Sequence, residues 1–123
     1  MIEIILASKS KIREKILKEN NIDCFVKPSN VDEDLIKASL LKDGATPEII
    51  SKNLAELKAN KVSQDMHESL VLGADSVIDL NGELISKPEN RDEALDILKK
   101  LNGKKHSLIC LLYTSDAADE HGC

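Results

Sequence analysis

An α/β domain, a sheet with helices on its faces, is predicted for this 123-residue chain by three observations. Apolar runs rich in Ile, Leu and Val alternate along the chain with segments whose apolar residues recur at helical spacing. Asn81 and Gly82, set between Val77, Ile78, Leu80 and Leu84, Ile85, give the strongest hairpin signal in the chain. No repeat or low-complexity linker interrupts the pattern, and 123 residues with 41% hydrophobic content suit one domain. Phe25 and Tyr113 are the only aromatic residues, so the core must be aliphatic.

Ile2, Glu3, Ile4, Ile5 and Leu6 predict a strand over residues 2–7. Ser10 then suits an N-cap, and Ile12, Ile16 and Leu17 form an apolar stripe for a helix over 11–20. A second strand is expected over 23–27, holding Cys24. Asp32, Glu33 and Asp34 follow Pro28, Ser29 and Asn30 and read as a loop and helix start, where acids stabilise the dipole of a helix over 33–43. Pro47 fits the first turn of a long helix over 47–66, with Ile50, Leu54, Leu57 and Lys61 on one face and Lys58 at its border. Residues 69–80 read as a buried strand, 83–86 as its hairpin partner and 105–112 as the last strand. Asn90, with Glu93 three residues later, caps a helix over 90–101.

Two places carry chemistry. The apolar run Ser69 to Ala74 ends in Asp75, and an acid in such a strand must be hydrogen-bonded, paired or bound to a metal. Gly73 and Ala74 leave room beside it, as a closely approaching ligand requires, although a strand-end Asp that caps a turn accounts for an isolated instance. Near the amino terminus, a strand, the loop Ala7, Ser8, Lys9, Ser10 and a helix start gather free N–H groups and the positive dipole end at one point, which favours phosphate. Lys9, Lys11, Arg13, Lys15 and Lys18 surround Glu14 there. A solvated basic face explains Lys15 and Lys18, but explains Lys9, Lys11 and Arg13 less well, since they cluster where the dipole opposes cations. Lys58 on its own reads as a solvated border residue.

Leu6, Ala7, Ser8, Lys9, Ser10, Arg13, Ile16 and Leu17 resemble the opening signature of the Maf family of nucleoside triphosphate pyrophosphatases. Gly73, Ala74, Asp75, Ser76, then Asn81, Gly82, then Lys87, Pro88 resemble its central signature. Leu54, Ala55, Lys58, Ala59 resemble its Lys-Ala helix, and Leu101, Asn102, Gly103, Lys104, His106 the segment closing its first half. The order of four separate motifs makes the resemblance specific over residues 1–109.

That resemblance implies a mixed sheet with a cleft, related to inosine triphosphatase folds, and hydrolysis of an NTP or dNTP to the monophosphate plus pyrophosphate. It also implies roles. Asp75 would be the general base, alone or with a divalent cation, and Glu33 with Asp75 would hold Mg²⁺ or Mn²⁺. Ser8, Ser10, Arg13, Lys58 and Lys87 would bind the triphosphate. Substrates such as dTTP and UTP or 7-methyl-GTP, and a homodimer, are further implications. Two departures stand out. Lys11, Ile12 and Arg13 replace Pro followed by two Arg, so a single arginine carries over, with Lys11 as a partial substitute, and Ser76 replaces Thr.

From Cys110 the residues Cys, Leu, Leu, Tyr, Thr, Ser, Asp, Ala, Ala, Asp, Glu resemble a translated transposase-adapter sequence. The expected division is therefore residues 1–109 as the N-terminal part of a Maf-like domain and 110–123 as a non-native read-through tail. The alternative is a native strand, Leu108 to Thr114, followed by an acidic tail. A sheet lacking partner strands would be marginally stable or would self-associate through its edge. The formal net charge of −5, three of whose negatives are Asp116, Asp119 and Glu120, and the lack of an aromatic-interleaved basic patch argue against nucleic acid as a partner. No stretch is apolar enough for a membrane span and no signal-peptide pattern begins the chain, so a cytoplasmic protein is expected. Three cysteines form no disulfide framework, and His67, His106 and His121 are too scattered for zinc. Two competing expectations are an inactive fragment and a nucleotide-binding regulator of septum formation. A different phosphohydrolase is less favoured, since neither a Gly-rich P-loop nor a paired Asp motif is present.

Overall fold

The computed structural model describes residues 3–66 and 69–116. Strand β1 (Glu3–Leu6) leads to helix α1 (Lys11–Glu19), β2 (Phe25–Val26), α2 (Glu33–Lys42) and α3 (Pro47–Ser63). Then follow β3 (Ser69–Leu80), β4 (Glu83–Ile85), α4 (Arg91–Leu101) and β5 (Ser107–Asp116). The five strands form one mixed sheet, as the α/β class requires. His67, His121 and Cys123 lie outside the described residues.

Local chemistry accounts for the element ends. Ser10, Asp32, Thr46 and Asn90 cap the four helices, each accepting from the backbone N–H three residues on. Glu93 adds to the cap of α4 by accepting from the Glu89 N–H at 2.7 Å. At the β3–β4 turn, Asn81 (φ 51°) and Gly82 (φ 91°) both adopt the left-handed conformation of a two-residue hairpin, and Asp79 Oδ1 accepts from Gly82 N–H at 2.7 Å. The second strand is shorter than expected, confined to Phe25–Val26 with Cys24 outside it, and α3 ends at Ser63 rather than 66. The last strand starts later and runs longer than 105–112, because its register continues along β3 from Asp79↔Ser107 to Leu70↔Asp116.

Strand β3 is the spine of the sheet. It is antiparallel to β5 along one edge, over ten consecutive pairs. On its other edge it pairs in parallel with β1 over Ser69–Leu72 and antiparallel with β4 over Ile78–Leu80. Among the described residues, 73–77 therefore have no strand partner on that second edge. The chain direction of the neighbour reverses across this gap, which leaves β3 backbone groups there open to side chains.

Helix α3 covers the face of β3 that carries Val71, Asp75 and Val77, and the core of Ile5, Ala7, Ala59, Val62 and Val71 lies between them. The approach is close. A Cβ on Gly73 would run into the Ala55 carbonyl and sit 2.9 Å from the Ala59 Cβ. The space beside Asp75 attributed to a ligand is thus filled at Gly73 by the helix backbone. The apolar stripe of α1 also differs from expectation: Ile12 is 72% and Ile16 52% exposed, and the helix buries no residue. Its roll is set by Arg13, which turns inward with the half-buried Leu17 and leaves Ile12 and Ile16 outside. Leu57 is likewise exposed, and Lys58, expected at a border, sits within the buried face of α3 between Ala55 and Ala59.

Candidate active site

The gap in the β3 edge opens into a cavity of about 300 Å³. Ser8, Ser10, Arg13, Glu33, Lys58, Asp75 and Lys87, every site residue singled out from the sequence, line it. They arrive from five separate stretches of chain: the β1–α1 loop with the first turn of α1, the start of α2, the buried face of α3, the middle of β3, and the loop after β4.

The first wall is the β1–α1 turn. Ser8 Oγ accepts from the Ser10 N–H at 3.0 Å, and Ser10 Oγ accepts from the Arg13 N–H at 3.2 Å. The Arg13 guanidinium reaches across the gap, donating to Ser8 Oγ (3.2 Å), the Ala74 carbonyl (3.3 Å) and Ser76 Oγ (3.3 Å). Each of these acceptors fixes part of the planar fork, so its orientation is set in advance. The Ala74 carbonyl is free to accept because, among the described residues, no strand pairs with β3 at this point of the edge.

The second wall is the ion cluster. Lys58 Nζ lies 3.4 Å from Asp75 Oδ1 and 3.3 Å from the Ala74 carbonyl, and it pairs with Glu33 as well. Asp75 is 5% exposed, and its Oδ2 is buried without a hydrogen-bond partner among the described residues. Burial pushes the Asp75 carboxyl above the ordinary carboxylate range, against the opposing pull of the Lys58 ammonium. Ser51, fully buried on α3, holds the strand here by donating to the Asp75 carbonyl at 3.1 Å.

Lys9, Lys37, Ser29 and Asn30 also line the cavity. Lys37 and Ser51 were not singled out from the sequence. The signal for Lys37 was its place four residues after Glu33 on α2, which puts both on one helix face. Lys37 Nζ lies 3.5 Å from Ser86 Oγ, beside the Lys87 loop, and Lys61 donates to the Asn30 carbonyl at 3.1 Å, tying the loop before α2 to α3. Lys11, expected to make up for the lost arginine, points elsewhere: it shares a separate surface hollow with Glu14, Lys15, Lys18 and Glu19. At the first position of the helix it lines that hollow and not the cavity, so Lys9 and Lys37 supply the added charge instead.

Fold and cavity together define an α/β protein with a cation-lined cleft at an interruption in its sheet. The chain belongs to the Maf-like protein family, whose profile matches residues 3–122. It is 70% identical over 107 residues to the nucleoside triphosphate pyrophosphatase of Pelagibacter ubique, covering 87% of this chain and 55% of that protein. It is 48% identical over 106 residues to a protein of the same description from a Ruegeria species (86% and 53% covered). It is 36% identical over 107 residues to the 7-methyl-GTP pyrophosphatase of Brucella abortus (87% and 54%). The chain thus spans about half the length of the curated relatives it matches. The solved structure of the Staphylococcus aureus Ham1 protein matches with a TM-score of 0.57 at 19% identity, over 93% of this chain and 63% of that one, a likeness of fold.

Proposed function

We propose that this chain is the N-terminal part of a nucleoside triphosphate pyrophosphatase that hydrolyses an NTP or dNTP to the monophosphate plus pyrophosphate. One observation carries the reading: a carboxylate only 5% exposed, Asp75, shares a single cavity with Arg13, Lys58 and Lys87. The names of the similar proteins support it. The 107-residue extent of similarity supports a domain boundary near residue 109 with 110–123 as a foreign tail, whereas the family match to 122 favours a native last strand. Sequencing the gene across the codon for Ile109 decides between them. The reading also includes a cytoplasmic homodimer.

In this mechanism the triphosphate lies along the cation-lined cleft, with Ser8, Ser10 and the free N–H groups of the first turn of α1 against one phosphate. Asp75 takes the proton of a water that attacks the α-phosphorus. The bond from that phosphorus to the bridging oxygen breaks, and the departing pyrophosphate carries its charge to Arg13, Lys87, Lys9 and Lys37. A carboxyl raised above its ordinary range by burial is a stronger base than one on the surface, which suits Asp75 to this role.

The residues fit a hard divalent cation. Asp75 and Glu33 offer carboxylate oxygens, and Asp75 Oδ2 is buried with no partner among the described residues. No group of three or more His, Cys, Asp or Glu side chains placed to hold a metal ion by itself occurs among the described residues. That set matches Mg²⁺ or Mn²⁺ held by one or two carboxylates plus substrate phosphates rather than by a protein cage. When bound, the cation would neutralise phosphate charge as a Lewis acid.

Asp75→Asn tests the reading. In a protein extended to the full length of its relatives, turnover measured as pyrophosphate release should fall about 10²- to 10⁴-fold with little change in nucleotide affinity. Retained hydrolysis would count against Asp75 as the base. The same assay on the 123-residue chain beside the extended one distinguishes an active half from an inert fragment.

A further inference from the structure

The position of Lys58 among the candidate metal ligands sets a condition on how a cation can enter. Its ammonium contacts three oxygens of different origin: a carboxylate oxygen of Asp75, a carboxylate oxygen of Glu33, and the carbonyl of Ala74. Two carboxylates and a carbonyl are also hard oxygen ligands of the kind a divalent cation takes. An ammonium and a divalent cation cannot share them, because two positive charges so close in a partly dry site repel strongly. The Lys58 side chain is 10% exposed, so its charge stays there because the carboxylates balance it. They in turn are held together by it.

We infer that Lys58 is a resident cation standing in the divalent-metal site, which releases Glu33 and Asp75 when a polyphosphate draws its ammonium away, so that metal enters with nucleotide and not before it. The inference rests on the reading above that Glu33 and Asp75 hold the cation. Three further observations support it. Lys58 lines the cavity, so its head can move toward a bound phosphate by rotation of a flexible four-carbon stem. Arg13, by contrast, is tied to three acceptors and serves as a fixed anchor. Asp75 Oδ2, without a partner among the described residues, is an oxygen that the ammonium leaves unused.

The experiment measures Mn²⁺ binding to the 123-residue chain by the loss of the free Mn²⁺ paramagnetic resonance signal, without nucleotide. Lys58→Met and Lys58→Gln should each bind Mn²⁺ about tenfold or more tightly than the unsubstituted chain, since the competing charge is gone. Adding Glu33→Gln to either variant should remove the gain. Equal Mn²⁺ affinity with and without Lys58 overturns the inference while leaving the metal reading intact. Absence of Mn²⁺ binding by every form, even with an α,β-methylene nucleotide, overturns both.

A measurement on the unsubstituted chain covers the case in which the variants do not fold. In protein labelled with ¹³C-lysine, the Lys58 Cε resonance should shift on adding Mg²⁺ with the α,β-methylene nucleotide and stay in place with Mg²⁺ alone. An equal shift with Mg²⁺ alone overturns the inference.

Discussion

Helices α1 and α3 both supply cations to one cavity, but α3 buries nine of its seventeen residues and α1 buries none. Helix α3 is held by shape. Ser51, Ala55 and Ala59 are small enough to let its backbone approach Gly73, and Ile50, Leu54 and Val62 fill the space around them. Helix α1 is held by a serine cap at one end and by an arginine fastened across a break in the sheet. The difference shows two ways to place a charge: the backbone of Lys58 is held because its helix is packed against the sheet while the head keeps a flexible stem, and the head of Arg13 is held because it is bonded on several sides. A contact built on packing should fail when volume is removed, and one built on hydrogen bonds should fail when a donor or acceptor is removed.

The largest effect of this kind is expected at the packed helix. Leu54→Ala should cost about 2–5 kcal/mol by leaving a cavity between α3 and the sheet, read as a lower urea midpoint at unchanged slope. At the bonded helix, Ser10→Ala should cost about 0.5–2 kcal/mol through loss of the cap. It should also weaken triphosphate binding, because Ser10 lines the cavity and its cap positions Arg13, and calorimetric titration with a non-hydrolysable nucleotide measures that.

A third prediction concerns Asp75, where the two regions meet. Its carboxyl binds a proton more tightly folded than unfolded, because burial penalises the charge. The folded state therefore holds more protons between the unfolded value and the higher folded one. Stability falls as pH rises through that window and is flat above it. Asp75→Asn should flatten this part of the profile, and thermal scans across the acid range check the sign. The smallest effect is expected at Ile16→Gln on the outer side of α1, within about 0.5 kcal/mol in either direction, since the side chain is already largely in water. A loss of several kcal/mol there would mean that α1 is held by packing after all.

The parts of the fold legible from the sequence were those decided within a few residues. Ser10, Asn90 and the Asn81-Gly82 turn declare themselves because a cap or a left-handed pair satisfies backbone groups next to it. The roll of α1 was not legible. Apolar spacing pointed to Ile12 and Ile16, but the orientation is set by hydrogen bonds from Arg13 to residues about sixty positions away. The depth of Lys58 was missed for a related reason. Its face of α3 is lined with Ser and Ala, which do not stand out as core until the sheet that needs them close is in place. Asp75 and the Ser8–Arg13 turn stand out from residue chemistry alone, Glu33, Lys58 and Lys87 only through the resemblance to a family, and Lys37 and Ser51, which lie outside the motifs, do not stand out.

The interrupted edge of β3 has a consequence for how this site can change. Side chains on a strand alternate between faces, so Asp75 points toward α3 only while the count of residues from each flanking ladder keeps its parity. With β1 clamping Ser69–Leu72, β4 clamping Ile78–Leu80 and β5 paired along the other edge, a single residue inserted or deleted between the two clamps cannot be absorbed by sliding the strand. It must form a bulge or turn the acid to the opposite side, so point substitutions can diversify the lining of the cleft while its length in residues is effectively locked.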